Sequence, residues 1–112
     1  MKRVEAIISP FKLDDVKSAL SELGVTGLTA TEVRGCGRQI GYRATNRDAE
    51  YKPELTPKVK VEAVVADHLV ARTIEVIERV SRTGRIGDGK IFVSPVDEAV
   101  RIRTGERAEE AI

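Results

Sequence analysis

The chain has 112 residues, with 19 Lys or Arg against 18 Asp or Glu and a formal net charge of +1. This is the length of one ordinary domain with a modest core, and 41% hydrophobic with 33% charged residues is a folded, globular composition. The near-neutral balance excludes a global field for nucleic acid or membrane surfaces, and the single cysteine, Cys36, excludes an intrachain disulfide framework.

No apolar run approaches a membrane span, and the one near the N-terminus, in MKRVEAIISP, is too short for a signal peptide. A cytoplasmic setting without membrane insertion is the expectation. In chain order, VEAIIS at 4–9 is apolar and partly β-branched, and Pro10 stops it, so it predicts a strand. In FKLDDVKSALSELG, Leu13, Val16, Leu20 and Leu23 recur at helical spacing, and Gly24 stands where a helix ends. VTGLTATEV at 25–33 predicts a second strand. KVKVEAVV at 58–65 alternates strictly at first and is the clearest strand. HLVARTIEVIERVSR places Leu69, Thr73, Ile74, Ile77 and Val80 on one helical face, and KIFVSPV predicts a fourth strand ending near Pro95.

The order β-α-β-β-α-β predicts an α+β, ferredoxin-like domain over 1–112: one antiparallel sheet with both helices on one face. The uncovered face is expected to carry Val61, Ala63 and Ile7 or their neighbours. A bare apolar face of that kind is an association surface, so a homo-oligomer is expected. Between the second and third strands, GCGRQIGYRATNRDAEYKPELTP has neither period. A segment that long inside a compact domain is usually functional. It holds Arg38, Arg43, Arg47, Lys52 and two of the four aromatics, Tyr42 and Tyr51.

Three clusters suit anions. TGRIGDGKIFV fits seven positions of the phosphate-loop pattern G-x-x-x-x-G-K, but Ile91 stands where Ser or Thr belongs, and the flanks run helix-to-strand, the reverse of that motif. Gly87 and Gly89 admit unusual backbone conformations, successive N–H groups can form an anion nest, and Lys90 adds charge. Residue types alone favour an ordinary tight turn over phosphate binding here, with Gly84 read as the end of the preceding helix. In RIRTGE, Arg101 and Arg103 alternate and would point the same way in an extended chain, and paired guanidiniums suit polyphosphates. In RGCGRQIG, Gly35, Gly37 and Gly41 frame Arg38 and Gln39. Catalytic signals are sparse. Cys36 and the single His68 have no third orienting group, and no His/Cys cluster predicts a protein-only metal site. A metal held mainly by nucleotide phosphates needs few protein ligands.

Five stretches in matching order and spacing, FKLDDVKSAL, TEVRGCGRQ, PKVKVE, TGRIGDGKIFV and RIRTGE, carry a resemblance to the P-II nitrogen regulatory protein family over essentially the whole chain. The resemblance implies a ferredoxin-like homotrimer that is a signalling protein and not an enzyme. It would bind ATP or ADP and, with magnesium-ATP, 2-oxoglutarate, in clefts between subunits. By position, Gly87, Asp88, Gly89 and Lys90 would hold the phosphates by backbone and charge, with Gly37 and Arg38 beside them. Arg101 and Arg103 would reach in from the adjacent subunit, and Thr29 and Val64 would line the adenine side. Gln39 would coordinate the magnesium, Lys58 would pair with a 2-oxoglutarate carboxylate, and Gly41 and Gly87 would adjoin it.

The resemblance also implies functional segments: a T-loop at about 37–56, a nucleotide-binding loop at about 82–90 and a C-terminal segment at about 100–112. The T-loop would dock onto ammonium channels, nitrogen-metabolism enzymes, and a sensor kinase or nucleotidylyltransferase. Tyr51 is the position some relatives uridylylate. Here Asn46 and Asp48 replace the usual Tyr and Gly, Ala49 replaces a serine that some relatives phosphorylate, and Ser9 stands where relatives are often basic. The competing readings are a small ferredoxin-like RNA-binding module, disfavoured by only four aromatics, and a weak nucleotide hydrolase.

Overall fold

The computed structural model describes residues 1–37 and 54–112. Four strands, β1 (Lys2–Ile8), β2 (Thr29–Gly35), β3 (Thr56–Val65) and β4 (Gly89–Pro95), form one sheet in the order β2-β3-β1-β4, with every pairing antiparallel. Two helices, α1 (Leu13–Glu22) and α2 (Val70–Ser81), connect β1 to β2 and β3 to β4. This is the ferredoxin-like βαββαβ arrangement.

Strand period decides the core. Val4, Ala6 and Ile8 of β1 and Val59, Val61, Ala63 and Val65 of β3 are all buried, in one cluster with Val16, Ala19 and Leu20 of α1 and Val76 and Ile77 of α2. Both helices therefore cover the same sheet face. Val61 and Ala63 belong to that face, 1% and 3% exposed, which corrects their placement on the uncovered one. Directly paired residues share a face, so the register puts Arg3, Glu5, Ile7, Lys58, Lys60, Glu62, Val64, Lys90 and Phe92 together on the open side. Ile7 is there as expected, but its company is charged. Lys60 Nζ lies 3.9 Å from the Glu62 carboxylate, and Glu5 stands directly opposite Glu62. The open face is amphipathic, not apolar.

Three boundaries move. α1 ends as Gly24 suggests: Gly24 N–H donates to the Ser21 carbonyl (3.0 Å) and Val25 N–H to the Leu20 carbonyl (2.9 Å), a Schellman closure. Val25 is then buried by packing, not by pairing, and β2 begins only at Thr29. β3 starts at Thr56, two residues early, and includes Pro57. Residues 56–58 pair with β2 but extend past β1, whose register stops at Ile8↔Val59, so the missing Pro57 N–H leaves no ladder bond unmade to β1. α2 ends at Ser81 with Arg82 extended, so Gly84 lies in the following turn and is not the helix end.

Candidate functional site

Two regions at opposite ends of the sheet collect the candidate residues. At the first end, α2 gives way to the turn before β4. Gly89 opens β4 opposite Ile8, and its backbone has a φ of +105°. The turn is tied internally by Asp88. Its Oδ2 accepts from the N–H groups of Thr83 (2.8 Å) and Gly84 (2.9 Å), and its Oδ1 accepts from the Thr83 hydroxyl (2.5 Å). Thr83 Oγ1 in turn accepts from Arg85 N–H (3.2 Å). The Thr83 hydroxyl, with the Thr83 and Gly84 N–H groups, holds the Asp88 carboxyl below the usual carboxylate range.

β3 reaches into this corner. Lys58 Nζ donates to the Gly87 carbonyl oxygen at 2.7 Å. In a trans peptide the C=O and the following N–H point in opposite directions, so this bond turns the Asp88 N–H away from Lys58. The Lys58 stem also passes Gly35 at the end of β2: a Cβ there would be 3.8 Å from Lys58 Cγ. Lys58, Gly87, Asp88, Gly89 and Lys90 are thus one locality, and Gly37 follows two residues after the end of β2. Lys90 is exposed on the open face opposite Ile7.

At the other end lies a cleft of about 590 Å³, whose lining includes Arg3, Leu28, Thr29, Glu62, Val64 and Ile112. It joins the two residues expected on the adenine side, and adds Glu62, Leu28 and the C-terminal Ile112, which sequence reasoning missed. Glu62 closes the PKVKVE stretch and Leu28 precedes β2, and neither position was singled out for a ligand. Leu28 adjoins Thr29 in the chain, and only the register brings Glu62 beside it.

Arg101 and Arg103 differ from the extended-chain expectation. Residues 102–104 form a turn, closed by Gly105 N–H to the Arg101 carbonyl (2.7 Å) and Arg101 N–H to the Glu106 carbonyl (2.9 Å). An extended strand would align the two guanidiniums; a turn does not. Arg101 Nε lies 3.8 Å from the Glu106 carboxylate, and its Nη2 donates to the Glu110 carbonyl (3.3 Å). Arg103 is exposed and has no ion pair among the described residues. Arg38, Gln39, Gly41 and Tyr51, with most of the expected T-loop, lie outside the described residues.

Along β1, Val64 is opposite Arg3 and Gly89 opposite Ile8. Those positions are about 17 Å apart at the rise of a strand. Thr29 and Val64 on one side, and Gly87–Lys90 on the other, are two candidate half-sites and not one pocket. The same geometry separates Cys36 from His68. One follows the β2 end that pairs with the start of β3, and the other follows the end of β3, which spans roughly 30 Å. They form no Cys–His pair within a chain. Among the described residues no group of three or more His, Cys, Asp or Glu could hold a metal, and no helix is long and apolar enough to cross a membrane.

The fold and these corners define a class: a ferredoxin-like domain whose distinctive chemistry is a glycine-rich turn with clustered cations at the sheet ends. Comparison with known proteins narrows it. The profile of the family described as "Nitrogen regulatory protein P-II" matches residues 1–106. Proteins named nitrogen regulatory protein P-II align over all 112 residues and their own full length: 59% identical in Azospirillum brasilense, 58% in Rhodospirillum rubrum and 57% in Haemophilus influenzae. The chain belongs to the nitrogen regulatory protein P-II family, whose members here carry the name of regulators.

Proposed function

We propose that the protein is a homotrimeric, cytoplasmic nitrogen-signalling regulator. It binds ATP or ADP, and with magnesium-ATP also 2-oxoglutarate, in clefts between subunits. The observation that carries the reading is the corner where Lys58 meets the Gly87–Lys90 turn: backbone donors and two ammonium groups at one sheet end, with the Thr29–Val64 cleft at the other. A nucleotide held at both ends requires a second copy of the chain, and the amphipathic open face is a surface that copy can cover.

Gly87, Asp88, Gly89 and Lys90, with Gly37 and Arg38, take the phosphates, and Thr29 and Val64 the base. Arg103, exposed on its turn, and Arg101 reach in from the neighbouring subunit. Gln39 holds the magnesium that the ATP phosphates carry. Lys58, with Gly41 and Gly87 adjoining, receives a 2-oxoglutarate carboxylate. An ammonium has three donors, so Lys58 can keep the Gly87 carbonyl and take a carboxylate as well. Chelation of a dicarboxylate by phosphate-bound magnesium makes the two ligands reciprocally coupled. Ligand state then shifts the populations of the T-loop, which docks onto target enzymes, kinases or an ammonium channel, with Tyr51 as its uridylylation position.

Calorimetry tests the coupling: 2-oxoglutarate binds tightly with magnesium-ATP and weakly without it. Equal affinity without nucleotide overturns the mechanism. Lys58→Ala weakens 2-oxoglutarate much more than ADP, and equal losses remove its assigned role. Steady-state ATP turnover approaching about one per second would reinstate the hydrolase reading.

A further inference from the structure

The turn between α2 and β4 spends its backbone donors in two ways. The N–H groups of Thr83, Gly84 and Arg85 are all consumed inside the turn, two by the Asp88 carboxylate and one by the Thr83 hydroxyl. Among the described residues no well-formed hydrogen bond occupies the N–H groups of Gly87 and Asp88; the 86–87 turn closes only loosely on Asp88. The boundary between used and free donors falls where the Thr83–Asp88 bond closes the turn. On its other side Lys58 draws the Gly87 carbonyl away. The turn is thus held by bonds made within the chain itself.

From this geometry we infer that Thr83 and Asp88 are positioning residues for the phosphate group of the nucleotide: their side-chain latch presents the Gly87 and Asp88 N–H groups, and the Asp88 carboxylate contacts neither phosphate nor metal. The inference rests on the nucleotide reading given above. Its chemistry is specific. A carboxylate beside a polyphosphate repels it unless its charge is committed elsewhere. Three donors from residues 83 and 84 commit it, and both oxygens are engaged. Thr83 is needed as a hydroxyl that donates to Asp88 while accepting from Arg85, which serine can do and valine cannot. A preformed donor array binds an anion without the ordering cost that a loose loop carries.

The test is ADP affinity by calorimetry on the full-length protein, in chelator and without magnesium, for wild type, Thr83→Ser, Thr83→Val, Asp88→Asn, Asp88→Ala and the Thr83→Val/Asp88→Ala pair. Thr83→Ser stays within about twofold of wild type. Thr83→Val and Asp88→Ala each weaken ADP about tenfold, the size of a charge-assisted hydrogen bond. The double variant is no worse than the poorer single one, because both remove the same latch. Asp88→Asn, which keeps one acceptor, falls between. Amide hydrogen exchange without ligand gives a second readout: Thr83 and Gly84 are protected in wild type and lose protection in Thr83→Val. The result that overturns the latch is wild type binding ADP while Thr83→Val binds equally well, or Asp88→Ala binding more tightly, as removal of a carboxylate facing the phosphates would give. Wild type that binds no ADP sinks the nucleotide reading itself, and the positioning role with it.

Discussion

A Cβ built on Gly89 would lie 1.7 Å from the Ile7 carbonyl oxygen and 2.8 Å from its carbonyl carbon, at a φ of +105°. The obstacle is backbone on a central strand, so relaxation has to part β4 from β1. Gly89→Ala is expected to cost at least about 2 kcal/mol, read as a lower urea midpoint, together with loss of nucleotide binding. Gly87 is different. Its φ is +103°, but an added Cβ would meet only the movable Lys58 ammonium at 3.4 Å, so Gly87→Ala should cost about 1 kcal/mol. A Gly87→Ala protein less stable than Gly89→Ala would contradict this ranking. Asp88 supplies a pH dependence. Its folded carboxyl is held below the usual range, first by the Thr83 hydroxyl and then by the N–H groups of the turn. A depressed carboxylate contributes above its unfolded pKa and loses that contribution as pH falls through the folded one. Protection of the Gly84 amide should therefore persist through neutral pH and fade only below about pH 4. In Thr83→Val the Asp88 titration, followed by NMR, moves upward. The residue types at this corner were legible in the sequence, since Gly-Asp-Gly-Lys marks a turn with charge. The direction in which Asp88 points was not, because it depends on where α2 stops.

At the scale of elements, α2 carries the core through Val76 and Ile77, with Thr73 completely buried beside them. Ile77→Ala is expected to cost about 2–4 kcal/mol. Thr73 and Ser81 are the unusual members: their hydroxyl oxygens are buried with no hydrogen-bond partner among the described residues, and an unsatisfied hydroxyl is a penalty. Thr73→Val keeps the shape and removes the oxygen, and should raise stability by about 1 kcal/mol. A loss in chemical denaturation would mean that the hydroxyl has a partner after all. The 3.6 period placed Thr73 on the inner face with Leu69, Ile74, Ile77 and Val80, as the structure has it. The period could not locate β2. Val25, Thr26 and Leu28 read as strand on propensity, yet Val25 is buried by the turn after α1, and pairing waits until Thr29 meets Glu62. Propensity reports what a residue tolerates, whereas pairing is settled by the partner strand.

At the scale of the whole molecule, the separation of the half-sites makes a stoichiometric prediction on the proposed assembly. Lys90→Ala and Arg103→Ala should each weaken nucleotide binding when alone. If the two residues of one site come from neighbouring subunits, co-assembling the variants at equal amounts restores about one quarter of the sites, those where both residues are intact. No recovery in an ADP titration of the mixed, refolded protein, with mixed trimers confirmed by native mass spectrometry, would place Lys90 and Arg103 of each site in the same subunit. The open sheet face bears on the same question. With Glu5 opposite Glu62, and Arg3, Lys60 and Lys90 around them, a partner must match charge there as well as cover Ile7 and Phe92.

The sequence by itself determined the element order, most of the core face of each helix, the end of α1 at Gly24 and the family. Each follows from local period or from residue types at fixed spacing, which a linear string carries in full. Only the tertiary structure decided which face of the sheet the helices cover, and that Arg101 and Arg103 sit on a turn and not a strand. It also decided that Lys58 holds the Gly87 carbonyl 29 positions away, and that the two groups of residues proposed for the nucleotide fall at opposite ends of one sheet. Those facts depend on strand register and on where helices stop, quantities set by long-range pairing that no window of sequence contains.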